Sequence, residues 1–187
     1  MRSFGILLII VLLFCNGKCR KEVLDYNGLP PATQEGKNTF GFLLNGKPWI
    51  PSGFNGGTGN LSLDIDFGFK NGIFGIAAYQ RVPPGGISGD QSISIGIADS
   101  LKFVTIPAIF LLGKNTLYGI YYVDDKSRCE YAINYATTDT TIYRTGKLTI
   151  TKLDKIQGVI AGTFSATLAK PGCDTVKITE GRFDMKF

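Results

Sequence analysis

Histidine is absent from all 187 residues. Its absence excludes Ser-His-Asp and Cys-His nucleophilic catalysis, histidine general bases and histidine-ligated transition metals. Tryptophan occurs once, as Trp49, and cysteine four times, at Cys15, Cys19, Cys129 and Cys173. No cysteine pair has the C-x-x-C spacing of a zinc site, so no metal or cofactor is implied. Long apolar runs are also lacking. Phe4 to Phe14 is the longest, too short for the roughly 20 apolar residues of a bilayer span. A dense basic patch is missing as well, since the net charge of +5 is scattered and Lys18 to Lys21 is its only cluster. Nucleic acid is therefore not an expected partner.

What is present begins with an export signal. Met1-Arg2-Ser3 gives a short cationic start and the run to Phe14 gives the apolar core of a signal peptide, assigned to residues 1–18. Cleavage just before a cysteine would leave a lipid-bearing residue, and Cys15 and Cys19 compete for that role. Ordinary cleavage after Gly17, giving a secreted protein, is the other possibility. The expected location is the periplasm or outer membrane, with the lipid as the membrane contact. Residues 19–37 mix charge with Gly, Pro, Asn and Gln without an apolar period and read as a flexible tether. Residues 38–187 read as one domain, long enough for one well-buried core.

Within that domain the dominant period is two. Leu61, Leu63, Ile65, Phe67 and Phe69 alternate with polar or small residues, placing the apolar set on one strand face. Asn71-Gly72 and Asn45-Gly46 each suit the positive φ angles of a two-residue hairpin turn. Pro48 puts the strand after the second turn at a sheet edge. Leu148 and Ile150, then Ile160 to Leu168, then Phe183, Met185 and Phe187 mark three more amphipathic strands. Ile93 to Ile97, Tyr118 to Val123 and Tyr131 to Tyr135 mark others, and Ser100 to Leu112 reads as a short helix or irregular chain. The expected fold is all-β, an antiparallel β-sandwich, with a flattened β-barrel as the alternative.

Leu29-Pro30-Pro31-Ala32-Thr33-Gln34, Asn38-Thr39-Phe40-Gly41 and Asn45-Gly46-Lys47-Pro48-Trp49 together resemble the opening of uncharacterised cell-envelope lipoproteins common in Bacteroidota. Ile150 to Asp154, Gly162-Thr163-Phe164 and Gly181-Arg182-Phe183-Asp184 are similar to the closing strands of that group. The resemblance implies lipoprotein export and a β domain, and it brings no activity.

Candidate sites are few. An oxidising envelope favours a disulfide between Cys129 and Cys173, contributing about 4 kcal/mol through loop closure; buried reduced thiols are the alternative. Asp64 and Asp66, about 7 Å apart along one strand face, match either a glycosidase or calcium pair or an ordinary solvated face. Asp124-Asp125 reads as a turn. The glycine-rich stretches 52–60 and 82–90 lack the helix start of a phosphate loop. Aromatics are the better hint: Trp49, Tyr79 and Tyr121, with Tyr118, Tyr122, Tyr131 and Tyr135, can stack on sugar rings or simply fill a core. The expected function is a non-catalytic binding or structural module with glycan as ligand class. The alternatives are a barrel carrying an apolar ligand and a carboxylate-based glycoside hydrolase.

Overall fold

The computed structural model describes residues 23–53, 59–81, 90–113, 118–131 and 141–187. Eleven strands lie among them: β1 Thr39–Leu44, β2 Lys47–Trp49, β3 Leu61–Asp66, β4 Ile73–Arg81, β5 Asp90–Ile97, β6 Ala108–Leu111, β7 Tyr118–Asp124, β8 Cys129–Tyr131, β9 Tyr143–Asp154, β10 Val159–Ala169 and β11 Val176–Lys186. One sheet has the order β2-β1-β11-β10-β9-β6, the other β3-β4-β5-β7-β8. All their ladders are antiparallel. The two sheets pack face to face as a β-sandwich, and they do not close into the flattened barrel.

The period-two pattern produces this directly, because alternate residues of each strand face the partner sheet. Phe74, Ile76 and Ala78 of β4 meet Ile93, Ile95 and Ile97 of β5 on one inner face, and Leu148, Ile150, Phe164, Phe183 and Met185 cover the other. An aromatic group closes one side of the core. Phe42 stacks on Trp49 at 4.7 Å and Phe40 on Phe164 at 5.2 Å.

Buried side chains of both sheets form one continuous core between them.

The turns separate into two cases. At Asn45-Gly46, Leu44 faces Lys47 across a two-residue turn with φ of 49° and 80°. Asn71-Gly72 does not form the same turn. Asp66 pairs with Ile73, and its carboxylate accepts the Gly68 and Phe69 amides at 2.7 and 3.1 Å, ending β3 early. A side-chain oxygen competing for backbone donors therefore shortens the strand that the alternation extended to Phe69. Ser100 to Leu112 resolves into a single 3-10 turn, Leu101–Phe103, followed by β6. Residues 132–135 of the expected Tyr131 to Tyr135 strand lie outside the described residues.

The expected tether needs correction from Asp25 onward, because residues 25–37 form a strap across the outer face of the six-stranded sheet. Leu29 is fully buried. The Asp25 carboxylate accepts the Asn27 and Leu29 amides and pairs with Arg182 at 2.7 Å. Farther along, Asp184 accepts the Thr33 hydroxyl at 2.6 Å and the Glu35, Gly36 and Lys37 amides at 3.0, 2.7 and 3.4 Å. Gly41 makes room for the strap, since a Cβ there would lie 2.8 Å from Pro30 Cδ. Side-chain acceptors, not a sheet ladder, hold this segment, and so it carries no apolar period.

Candidate functional site

Among the described residues, none covers the outer face of the five-stranded sheet, and this face has a distinct composition. Register places Asp64, Gly75, Gly96 and Gly119 in one row across it and Ser62, Ala77, Ser94 and Tyr121 in the next. Tyr79 stands one row farther, beside Ser92 and Val123. Tyr79 and Tyr121 are thus two strands and two residues apart, about 12 Å at their Cα atoms, with small residues between them.

Each phenol is pinned by a carboxylate. The Tyr79 hydroxyl donates to Asp90 at 2.5 Å, and Asp90 also lies 3.5 Å from the Arg81 guanidinium. The Tyr121 hydroxyl donates to Glu130 at 3.0 Å. Donation to Asp90, followed by partial burial, raises the Tyr79 pKa; burial and then Glu130 raise that of Tyr121. Both rings are half-buried and stay neutral donors at physiological pH, with directions fixed by their acceptors. Such a face offers aromatic surface, hydroxyls and carboxylates together, which is what a sugar ring and its hydroxyl groups require.

Trp49 is not part of it. The indole is 1% exposed, packed on Phe42 with its Nε1 donating to Gln91 at 2.9 Å. Tyr122 and Tyr131 are also buried, and Tyr131 donates to the Asp174 carbonyl. Tyr118 packs edge-on against Phe110 at 4.8 Å. Inward register decides this: Tyr118, Ile120 and Tyr122 alternate toward the core, and only Tyr121 turns outward. Of Trp49, Tyr79 and Tyr121, only the two tyrosines stand on this outer face, and Tyr135 lies outside the described residues.

Asp64 and Asp66 lie exposed on the outer face of β3, an edge strand. Asp66 spends one carboxylate oxygen on the turn that follows. Asp124 likewise accepts the Lys126 and Ser127 amides in a turn. Among the described residues no group of three or more possible metal ligands is brought together.

A cleft of about 540 Å³ opens where β3 and the first half of β1 face each other, lined by Phe40, Leu61, Leu63 and Met185 with Asn38, Asn60 and Lys186 at its polar parts. β2 pairs with Phe42 to Leu44, so among the described residues Thr39 to Gly41 of β1 have no paired strand on that side. The lining holds no carboxylate.

Cys129 and Cys173 are joined by a disulfide, tying β8 of one sheet to the β10–β11 connection of the other. Cys15 and Cys19 lie outside the described residues. No helix among the described residues is long and apolar enough to cross a membrane. The outer-face tyrosines could have been separated from the buried ones by following alternation from Ile120, but the isolated Trp49 carried no such signal. No family model, curated protein or solved structure matches the chain.

Proposed function

We propose that this chain is an exported lipoprotein, anchored through Cys19 or Cys15 at the periplasm or outer membrane, whose β-sandwich is a non-catalytic glycan-binding module. The signal-peptide features of residues 1–18 support the export half of the reading. One observation carries the ligand half: Tyr79 and Tyr121 stand on the open face of the five-stranded sheet above a floor of Gly75, Ala77, Ser92, Ser94 and Gly96. Aromatic rings bordering a small-residue floor let a saccharide ring approach the sheet closely and stack. Asp90, Glu130 and Asp64 around the same face supply acceptors for its hydroxyls.

Isothermal titration against a panel of envelope and host glycans tests the ligand. Binding should weaken at least tenfold in Tyr79→Ala and in Tyr121→Ala while melting temperatures stay near that of the parent chain. Equal binding by the parent and both variants would remove the face from consideration. Fluorescence of Trp49 is an unsuitable reporter, because its indole is sealed in the core. Intact-mass analysis of the mature chain tests the anchor, and an unmodified N-terminus beginning at Lys18 would replace it with secretion.

A further inference from the structure

Among the described residues β3 pairs with β4 alone, so the other side of this edge strand carries an unpaired ladder. Register decides which groups point there. The Tyr79 amide donates to the Asn60 carbonyl at 2.9 Å, and bonded pairs recur at every second residue of an antiparallel ladder. Ser62, Asp64 and Asp66 therefore bond to β4. Leu61, Leu63 and Ile65 turn their N–H and C=O groups away from the sheet.

The side chains of the same three residues are incompletely covered. Leu61, Leu63 and Ile65 are half-buried, whereas Phe74, Ile76 and Ala78 beside them on β4 are buried. Leu61 and Leu63 line the cleft of about 540 Å³ that Phe40 and Met185 share. A strand laid along β3 would gain hydrogen bonds from three successive outward-facing positions and set alternate side chains over that cleft.

The opposite face selects the partner. Asp64 and Asp66 are exposed there, and among the described residues neither belongs to an ion pair. Their neighbours on β4 are Gly75 and Ile73, which bring no charge. Nearby cations lie elsewhere: Lys186 lines the cleft, and Lys155 stands over the ring of Phe67, past the end of the strand. A second copy added edge to edge would gather two carboxylates from each chain on one face of the joined strands, and like charges across a ladder oppose pairing. Lysine or arginine at the facing positions has the reverse effect.

We propose that the β3 edge is a docking site for an extended polypeptide in which apolar and basic residues alternate, added antiparallel to β3 with its apolar side chains over the cleft and its basic ones beside Asp64 and Asp66. This does not rest on the glycan reading, whose rings, Tyr79 and Tyr121, stand on β4 and β7.

The probe is a blocked, fluorescently labelled heptapeptide that alternates lysine with valine and starts and ends on lysine, compared with its glutamate counterpart by anisotropy titration against the purified chain. The lysine peptide should bind about tenfold more tightly or better at low salt, with the gap narrowing in high salt. N-methylation of the central valine, whose N–H would face Leu63, should weaken binding about tenfold or more; the same change on a neighbouring lysine, whose N–H faces away from β3, should weaken it less than about threefold. Asp64→Asn/Asp66→Asn keeps a side-chain carbonyl for the Gly68 and Phe69 amides and removes both charges. It should cut the preference for lysine to below about threefold with an unchanged melting temperature. No binding of the lysine peptide, equal binding of the two peptides by the parent chain, or equal losses from the two methylations would overturn the site.

Discussion

Asp184 is 1% exposed and is held by neutral donors: a hydroxyl and three consecutive amides of the strap. Consecutive amides converging on one anion form a concave nest, here helped by Gly36 at φ 73°. Burial alone would push this carboxyl up, but the four donors outweigh it and hold it below the usual carboxylate value. A lowered folded-state value means that the unfolded chain binds the proton more readily. The strap's contribution to stability is thus complete above the ordinary carboxylate range and is lost as pH falls through the folded value. Protection factors of the Glu35 to Lys37 amides should be high at pH 7 and fall below about pH 4; protection that stays constant between pH 7 and pH 3 would contradict the assignment. Asp184→Ala leaves the same donors without an acceptor and should cost about 2 to 3 kcal/mol in urea unfolding. Gly41→Val forces a side chain against Pro30 and Ile50 and should cost about 1 to 3 kcal/mol, with protease cutting appearing first in residues 25–37. Little of this was legible beforehand. Asp184 read as one more polar residue alternating with Phe183 and Met185, and nothing local distinguishes a carboxylate that faces water from one beneath a strap.

Elements were more legible where the pattern is periodic than where a single side chain decides. The alternation along β10 and β11 marked both strands, and Asn45-Gly46 marked its turn because two positive φ angles are needed there. Asn71-Gly72 carried the same signature, yet Asp66 ended β3 first, so the connection spans residues 67–72. β6 was missed because four residues beside Pro107 give too short a window for any period. Edge position explains Asp64 and Asp66 without chemistry: charged side chains on an exposed edge strand discourage pairing with a second copy. Asp64→Val/Asp66→Val should therefore aggregate at concentrations where the parent chain stays monodisperse by light scattering. The disulfide acts between elements. Cys129→Ser/Cys173→Ser should lower unfolding free energy by about 2 to 4 kcal/mol, and reductant should lower the melting temperature of the parent chain but not of the variant.

At the scale of the molecule, the sandwich was readable from composition and periodicity, and its binding surface only in part. Tyr79 and Tyr121 were separable from the core tyrosines by phase, whereas Trp49 follows Pro48 in a three-residue strand, too brief to show which way it points. The six-stranded sheet also joins distant parts of the chain. β1 pairs with β11 along Thr39 to Leu44, and the strap locks onto that same strand through Arg182 and Asp184. Neither can find its partner before residues 176–186 are present. A chain made from its N-terminus would consequently leave β1 and the strap without their partner strand until nearly all of it was present.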